Sequence, residues 1–317
     1  MADGHTRIAI ITDDPGWHGR QLVTALQDRH CRVDYLRLQD CAINLDHASG
    51  LSLGQFGASL PDGVFVRGVP GGTLEQVILR LDVLHALRLQ GVPVYNDARA
   101  IERTVDKAMT SFMLHHDGIP TPPTWVMEDL HACRERIARE WALGHEVVLK
   151  PLFGSQGEGL VRLAAGVPLP DLAPYRGITY LQRFVPGQRG ISRDFRVFVI
   201  GGRADCAMAR YGKDWINNVA QGARCEPLRA TGELAELAVA AVRTLDMDYA
   251  GVDLITGADG RLQVLEVNSV PAWHGLQSVT AHRVAERLAE DFLTRRVLPA
   301  LQSRLARFGL PAAHELH

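Results

Sequence analysis

The stretch GVDLITGADGRLQVLEVNSVPAW, Gly251 to Trp273, sets two apolar runs on either side of the pair Asp259-Gly260. That pattern commits the chain to a β-hairpin, because Asp-Gly favours a two-residue type I′ loop and fixes the register. Pairing Ala258 with Arg261 then places Asp253 opposite Glu266, and Asn268 shares the face of Glu266. Three oxygen side chains converge on one patch of a hairpin whose other residues read as core. Opposed carboxylates repel, by roughly 4 kcal/mol at ~4 Å and an effective dielectric near ~20. Something positive must offset this. A hard divalent cation such as Mg2+ suits a set of carboxylate and amide oxygens without sulfur or imidazole. The alternative is an exposed hairpin face paired with arginine.

The rest of the chain narrows the setting. A formal net charge of −2 without any polybasic block implies neither nucleic acid nor an anionic membrane as partner. The cysteines (Cys31, Cys41, Cys133, Cys206, Cys225) are scattered and odd in number, which argues for reduced thiols in a cytoplasmic protein. The N-terminus MADGHTRIAIITDD has no apolar run of signal-peptide length, and no later segment is long enough to span a bilayer.

Strands alternate with helices at the start: RIAIITDD, a helix in WHGRQLVTALQDRH, RVDYLRL, GVFVRG, the helix GTLEQVILRLDVLHALRLQG, then VPVYND. The long helix carries Leu74, Val77, Ile78, Leu81, Leu84 and Leu87 at helical spacing. This alternation predicts a Rossmann-like parallel-sheet domain over residues 1–96. No Gly-x-Gly-x-x-Gly turn follows the first strand, so a dehydrogenase reading fails. Residues from about 97 to 120 read as helical. A smaller unit, 97–183, follows with strands TWVM, EVVLKPL and GLVRL. A last unit, 184–317, holds two long strands joined at Gly201-Gly202, a helix, the opening hairpin and a closing helix. The expected class is α/β (α+β).

In VVLKPLFGSQGEGLVRL, Lys150 ends an apolar strand and Gly154, Gly157 and Gly159 open the next loop. Glycines let backbone N–H groups approach phosphate oxygens, and Ser155 adds a donor. A plain hairpin turn explains the same glycines, and the lysine precedes them, unlike a Walker A loop. A second lysine, Lys107, lies in a helical stretch where a solvated side chain is the ordinary reading.

The order of these features is more specific than any one of them. NDARAIERTVDKAMT, VVLKPLFGSQGEG, DFRVFVIGG, AGVDLI and LEVNSVP follow one another as in the ATP-grasp enzymes of the RimK-type glutamate ligases, which the chain resembles over roughly residues 60 to 290. The resemblance implies an ATP-grasp fold and an ATP-dependent carboxylate–amine ligase working through an acyl phosphate. It assigns Lys107 and Lys150 to ATP. It makes Gly154, Ser155, Gln156 and Gly157 part of a phosphate lid, and Gln182, Arg183, Phe184 and Val185 the hinge that reads adenine. Asp194 is placed near the ribose and Asn218 near nucleotide and phosphate. Asp253, Glu266 and Asn268 become ligands of two Mg2+ ions, with Mn2+ as a substitute. Arg196 and Arg210, on neighbouring strands, are the implied catalytic cations for a phosphate or oxyanion; a salt bridge on the strand surface is their alternative.

Three positions depart from the family: Arg183 in the hinge, Ile216 in DWINN, and Ser-Val-Pro-Ala-Trp-His after Asn268. The last two bear on the acceptor, for which a pterin-type cofactor that receives glutamate is the reading favoured here. Trp17 and His18 after strand one, and Arg67 after the third strand, sit where an open α/β sheet exposes its ligand crevice. They are candidates for an anionic acceptor, and Trp273 for stacking on its ring. The expected partners are a small carboxylate and an amino acid; a homo-oligomer is left open. The competing readings are a kinase acting on a hydroxyl and a non-catalytic ATP-binding module.

Overall fold

A computed structural model of the chain describes residues 5–154, 157–187, 191–212, 214–217, 219 and 222–307. It is a mixed α/β structure with one parallel sheet and separate antiparallel sheets. The chain forms two compact units. The first comprises Met1–Ile101, Ala272–Gln277 and Ala281–His317, the second Glu102–Pro271 and Ser278–Thr280.

In the first unit, β1 (Arg7–Ile11), β2 (Arg32–Leu36), β5 (Gly63–Val66) and β6 (Val94–Tyr95) form a parallel sheet in the order β2-β1-β5-β6. Both faces are covered, which is why β1 and β5 read as unbroken apolar runs. Ala9, Ile11, Val64 and Val66 pack with Val83, Leu84 and Leu87 of α2 (Leu74–Leu89). On the opposite face, Phe292 of α8 (Val284–Phe292) meets Phe65 and Tyr95, and α8 packs on α1 (Gly16–Gln27). The closing helices α8 and α9 (Leu298–Arg307) therefore belong with the N-terminal sheet, not with the C-terminal strands that precede them in sequence. The reason is packing, since Phe292 and Val297 fill this sheet's face.

A short antiparallel pair, β3 (Cys41–Ile43) with β4 (Leu51–Leu53), was not expected from the sequence. In α2 the burial also differs from expectation. Leu74 is 72% and Ile78 47% exposed, whereas Val83 is buried. The helix is apolar nearly all round, so its spacing alone did not choose the buried face.

The second unit holds two antiparallel sheets. The expected helix near 97–120 is two, α3 (Ala98–Val105) and α4 (Lys107–His116), broken where the Asp106 side chain caps the N–H groups of Ala108 and Met109. The smaller sheet contains β7 (Thr124–Met127), β10 (Thr179–Arg183), β8 (Val147–Lys150) and β9 (Val161–Leu163) in that order. Helix α5 (Leu130–Ala142) seals one face through Cys133 and Ile137 against Val147, Leu149 and Leu181. The larger sheet runs β13 (Arg224–Leu228), β12 (Arg203–Tyr211), β11 (Arg193–Ile200), β14 (Tyr249–Thr256), β15 (Leu262–Asn268). Strands β11 and β12 turn at Gly201-Gly202, both at positive φ (58° and 75°), as a two-residue primed turn requires. Helix α6 (Gly232–Thr244) packs on β11, β14 and β15, so the alternate residues of those strands are left for the other face.

Candidate active site

The two sheets of the second unit enclose a cleft of about 650 Å3, lined by Val148, Lys150 and Gln182 on one side and Asp194, Asp253 and Glu266 on the other. That volume suits a nucleotide-sized ligand. A smaller pocket of about 70 Å3 shares Lys150, Leu265 and Glu266 with it and reaches Lys107 and Ser111.

Asp253 pairs with Glu266 across β14 and β15, as the hairpin argument expected, but by a different route. The loop has three residues, not two: Gly257 N–H donates to Arg261 O (2.8 Å), Gly260 N–H donates to Gly257 O (3.0 Å), and Gly260 is left-handed at φ 81°. This arrangement pairs Thr256 with Leu262 and Leu254 with Val264. The ladder then shifts at Leu265, and that bulge restores the opposition of Asp253 and Glu266. Leu265 and Glu266 consequently both line the cleft, together with Asn268.

Next to the acids stand the two arginines. Arg196 lies opposite Asp253 in the β11–β14 ladder and donates to both its oxygens (Nε to Oδ1 and Nη2 to Oδ2, each 2.6 Å). Arg210 donates to both oxygens of Asp194 (2.7 and 2.8 Å), and its Nη2 lies 3.1 Å from Asp253 Oδ1. Asp194, Asp253 and Arg210 are buried. Burial alone would raise the Asp253 carboxyl, but Arg196 and Arg210 outweigh it and hold the group below the ordinary range. Burial pushes Asp194 up to about 6 against the pull of Arg210. The counter-charge of Asp253 is thus supplied by Arg196 and Arg210. Glu266 makes no ion pair or side-chain hydrogen bond among the described residues; Lys107 and Lys150 are the cations that sense its charge. A half-buried carboxylate without a direct partner, beside an amide and a second carboxylate, fits a hard divalent cation.

Lys150 ends β8 and donates to Gln182 Oε1 (2.7 Å). Burial, opposed by Glu266, lowers its ammonium to about 8. Lys107, the first residue of α4, donates to the carbonyls of Gly154 (2.8 Å) and Leu152 (3.5 Å), so it grips the backbone of the glycine loop. Gly157 lines both pockets, and Gly154 lines the smaller one. Ser155, Gln156 and Asn218 lie outside the described residues.

At the hinge, Gln182 spends its side chain internally, on Lys150, Thr124 and Tyr180. The N–H groups of Arg183 and Phe184 donate to Pro123 O and Glu146 O (2.8 Å each). Val185 N–H has no such bond among the described residues and stands at the cleft. The Arg183 side chain is drawn to Glu140 (2.8 Å), a carboxylate 1% exposed on the core face of α5. The sequence reading missed Glu140 and Leu265. Glu140 was discoverable, since it continues the apolar stripe of Cys133 and Ile137 with a charge. Leu265 was not, because a bulge leaves no compositional mark.

In the first unit, the chain leaves β1 for β2 on one side and reaches β5 on the other, so the switch point of the sheet lies between β1 and β5. Trp17, His18, Arg67 and Trp273 gather there. The Arg67 guanidinium lies 4.6 Å over the Trp273 ring, and the His18 ring sits 4.6 Å from it. His18 Nε2 accepts the Trp273 N–H (3.1 Å), so that nitrogen carries no proton. Burial, with Arg67 and His274 adding like charge, lowers His18 to about 4. Trp273 is 0% exposed, which corrects the expectation that its ring would stack on a ligand. It supports Arg67 instead, and Trp17, half-buried, is the ring left accessible.

Two sheets gripping a cleft, with lysines and a glycine loop on one side and an oxygen-bearing hairpin on the other, define a nucleotide-dependent ligase of the ATP-grasp class. Comparison agrees. The profile of the RimK-like ATP-grasp domain matches residues 104–292, and the chain belongs to that family. It is 32% identical over 295 residues to the tetrahydromethanopterin:alpha-L-glutamate ligase of Methanococcus maripaludis, covering 90% of this chain and 98% of that protein. It is 31% identical over 209 residues to the alpha-aminoadipate–LysW ligase LysX of Saccharolobus solfataricus, covering 63% and 74%. The ATP-grasp ligase PsnB, solved with a phosphomimetic variant of its minimal precursor, Mg and ADP, shares the fold at a TM-score of 0.72 and 20% identity, covering 92% of this chain and 99% of that one. The chain is thus an ATP-dependent ligase that forms C–N bonds, from a family that uses ATP and Mg2+.

Proposed function

We propose that this ligase joins glutamate, or a similar amino acid, to the carboxylate of a small pterin-type cofactor. The observation that carries the reading is the cleft face on which Asp253, Glu266 and Asn268 meet, in a chain whose relative acts, by its name, on tetrahydromethanopterin. Residues 97–183 and the strands after 184 serve as the two halves that hold the nucleotide. Val185 N–H reads the base. Lys150 and the glycine loop take the phosphates, and Lys107 holds that loop in place. Asp253, Glu266 and Asn268 would hold two Mg2+ ions, or Mn2+, which supply positive charge to the transferring phosphoryl group.

The acceptor carboxylate attacks the γ-phosphorus, the bond to the β-phosphate oxygen breaks, and ADP leaves. The amino-acid amine then attacks the acyl carbon, and inorganic phosphate departs from the tetrahedral intermediate. The acceptor's anionic group pairs with Arg67 near the start of α1, where N–H groups also favour an anion, and its ring meets Trp17. The five free thiols of the ligase favour the reducing cytoplasm as the place where it works.

The deciding experiment is a phosphate-release screen with ATP, Mg2+, single amino acids and pterin or other carboxylate cofactors, with products read by mass spectrometry. A product heavier by one amino-acid residue is expected; one heavier by a phosphoryl group would replace the ligase reading with a kinase. Asp253→Asn and Glu266→Gln should each cut turnover by more than about a hundredfold while leaving the circular dichroism spectrum unchanged.

A further inference from the structure

We propose that Arg196 is the resting counter-ion of Asp253, and that it gives up this carboxylate when the divalent cation enters, which frees its guanidinium for the phosphoryl group. The inference rests on the ligase reading above and concerns the order of events in the same cleft.

Three N–H groups point into the Asp253 carboxylate, two of them from Arg196 and one from Arg210. A carboxylate offers about four lone-pair positions, so a cation that needs Asp253 together with Glu266 competes with these donors. The two arginines are not equally held. Arg210 is bidentate to Asp194, also reaches Asp253, and its side chain is 5% exposed. Among the described residues Arg196 has the one carboxylate partner, and its side chain is 13% exposed at the cleft. Arg196 is therefore the arginine that can leave, and Arg210 the one that stays to keep Asp253 from standing uncompensated.

Gly251 lies two residues before Asp253 on the same face of β14, opposite Phe198; a Cβ there would meet Pro271 Cβ at 2.9 Å and would be in ordinary contact with the Arg196 stem, 3.4 Å from Cδ. Glu266, which makes no ion pair among the described residues, is the ligand that meets an entering cation first. Asp253 joins as Arg196 turns away. With the cleft empty, the arginine shields Asp253 from Glu266. With the cation present, the same guanidinium becomes available one strand away from the metal ligands.

The test follows the arginine Nε–H signals of the full-length protein by NMR, with Arg196→Lys and Arg210→Lys used for assignment. In the ligand-free protein both signals should be protected from solvent exchange. On saturation with Mg2+ and ADP, protection of the Arg196 signal should fall at least about tenfold, while that of Arg210 is kept. In parallel, Arg196→Met, folded by circular dichroism, should bind Mn2+ without nucleotide about tenfold more tightly than wild type by electron paramagnetic resonance. If calorimetry shows Mg2+ and ADP bound while the Arg196 signal stays protected, or if the Mn2+ affinity of Arg196→Met is unchanged, the counter-ion role is overturned and the ligase reading stands. If Mg2+ and ADP do not bind at all, both fall.

Discussion

Lys150 faces a neutral amide, and that choice sets its chemistry. Its partner Gln182 Oε1 accepts a hydrogen bond without adding negative charge, and burial then takes the ammonium down to about 8 against the pull of Glu266. The cationic form, which phosphate binding needs, is therefore present below pH 8 and lost above it. Nucleotide phosphates favour that form, so above pH 8 binding must draw a proton from solvent. ADP affinity, measured by calorimetry, should be flat between pH 6.5 and 7.5. It should then weaken toward pH 9 by up to about tenfold per unit. Lys150→Arg, which stays charged throughout, should flatten the profile. A wild-type profile flat to pH 9 would mean that this lysine is not a phosphate ligand. The sequence placed Lys150 at a strand end but could not supply its partner, which lies 32 residues away on β10.

At the scale of the element, the hairpin reached the expected pairing through two departures that compensate. The third loop residue moves the ladder by one, and the bulge at Leu265 moves it back. The bulge also turns Leu265 into the cleft beside Glu266, adding an apolar surface on which a base can lie. Deleting Leu265 should make the ladder regular while keeping Asp253 opposite Glu266. Mn2+ affinity should then survive within about threefold, while ADP affinity drops about tenfold for the lost apolar contact. Equal loss of both would show that the bulge supports the acids too. The shared face of Asp253, Glu266 and Asn268 was legible because a strand alternates strictly. The Gly201-Gly202 turn was legible because two glycines meet the demand for positive φ twice. Strand β3 was not, since a three-residue run with one buried residue has no period to read. Strand β13 was not either, being a short, mostly exposed edge strand with Pro227 inside it. The exchange of partners among Asp194, Arg196, Arg210 and Asp253 needs three strands in register, which no local pattern encodes.

Across the whole molecule, chemistry is divided between the two compact units. The second unit carries the glycine loop, the lysines and the hairpin of Asp253, Glu266 and Asn268. The first carries the aromatic and basic cluster at its sheet's switch point, completed by Trp273 from the short segment Ala272–Gln277, which belongs to this unit although it follows β15 in sequence. The buried Trp273 ring lies under the Arg67 guanidinium, and His18 ties down the Trp273 backbone, so the platform under Arg67 is fixed. A cation on that platform, beside a half-buried indole, suits a ligand with an anionic tail and a flat ring. If that ligand is the acceptor, the two units must fail separately. Arg67→Met keeps the stacking stem and removes the charge, so the KM for the carboxylate acceptor should rise about ten- to a hundredfold. ADP affinity, which depends on the second unit, should stay within about twofold of wild type. Asp253→Asn should show the reverse, with metal-supported nucleotide binding lost and acceptor binding, followed by Trp17 fluorescence in the absence of nucleotide, preserved. Should Arg67→Met instead weaken ADP and leave the acceptor KM unchanged, the cluster would serve the nucleotide, and the acceptor would have to be sought in the cleft of the second unit, where Trp215 and Ile216 stand.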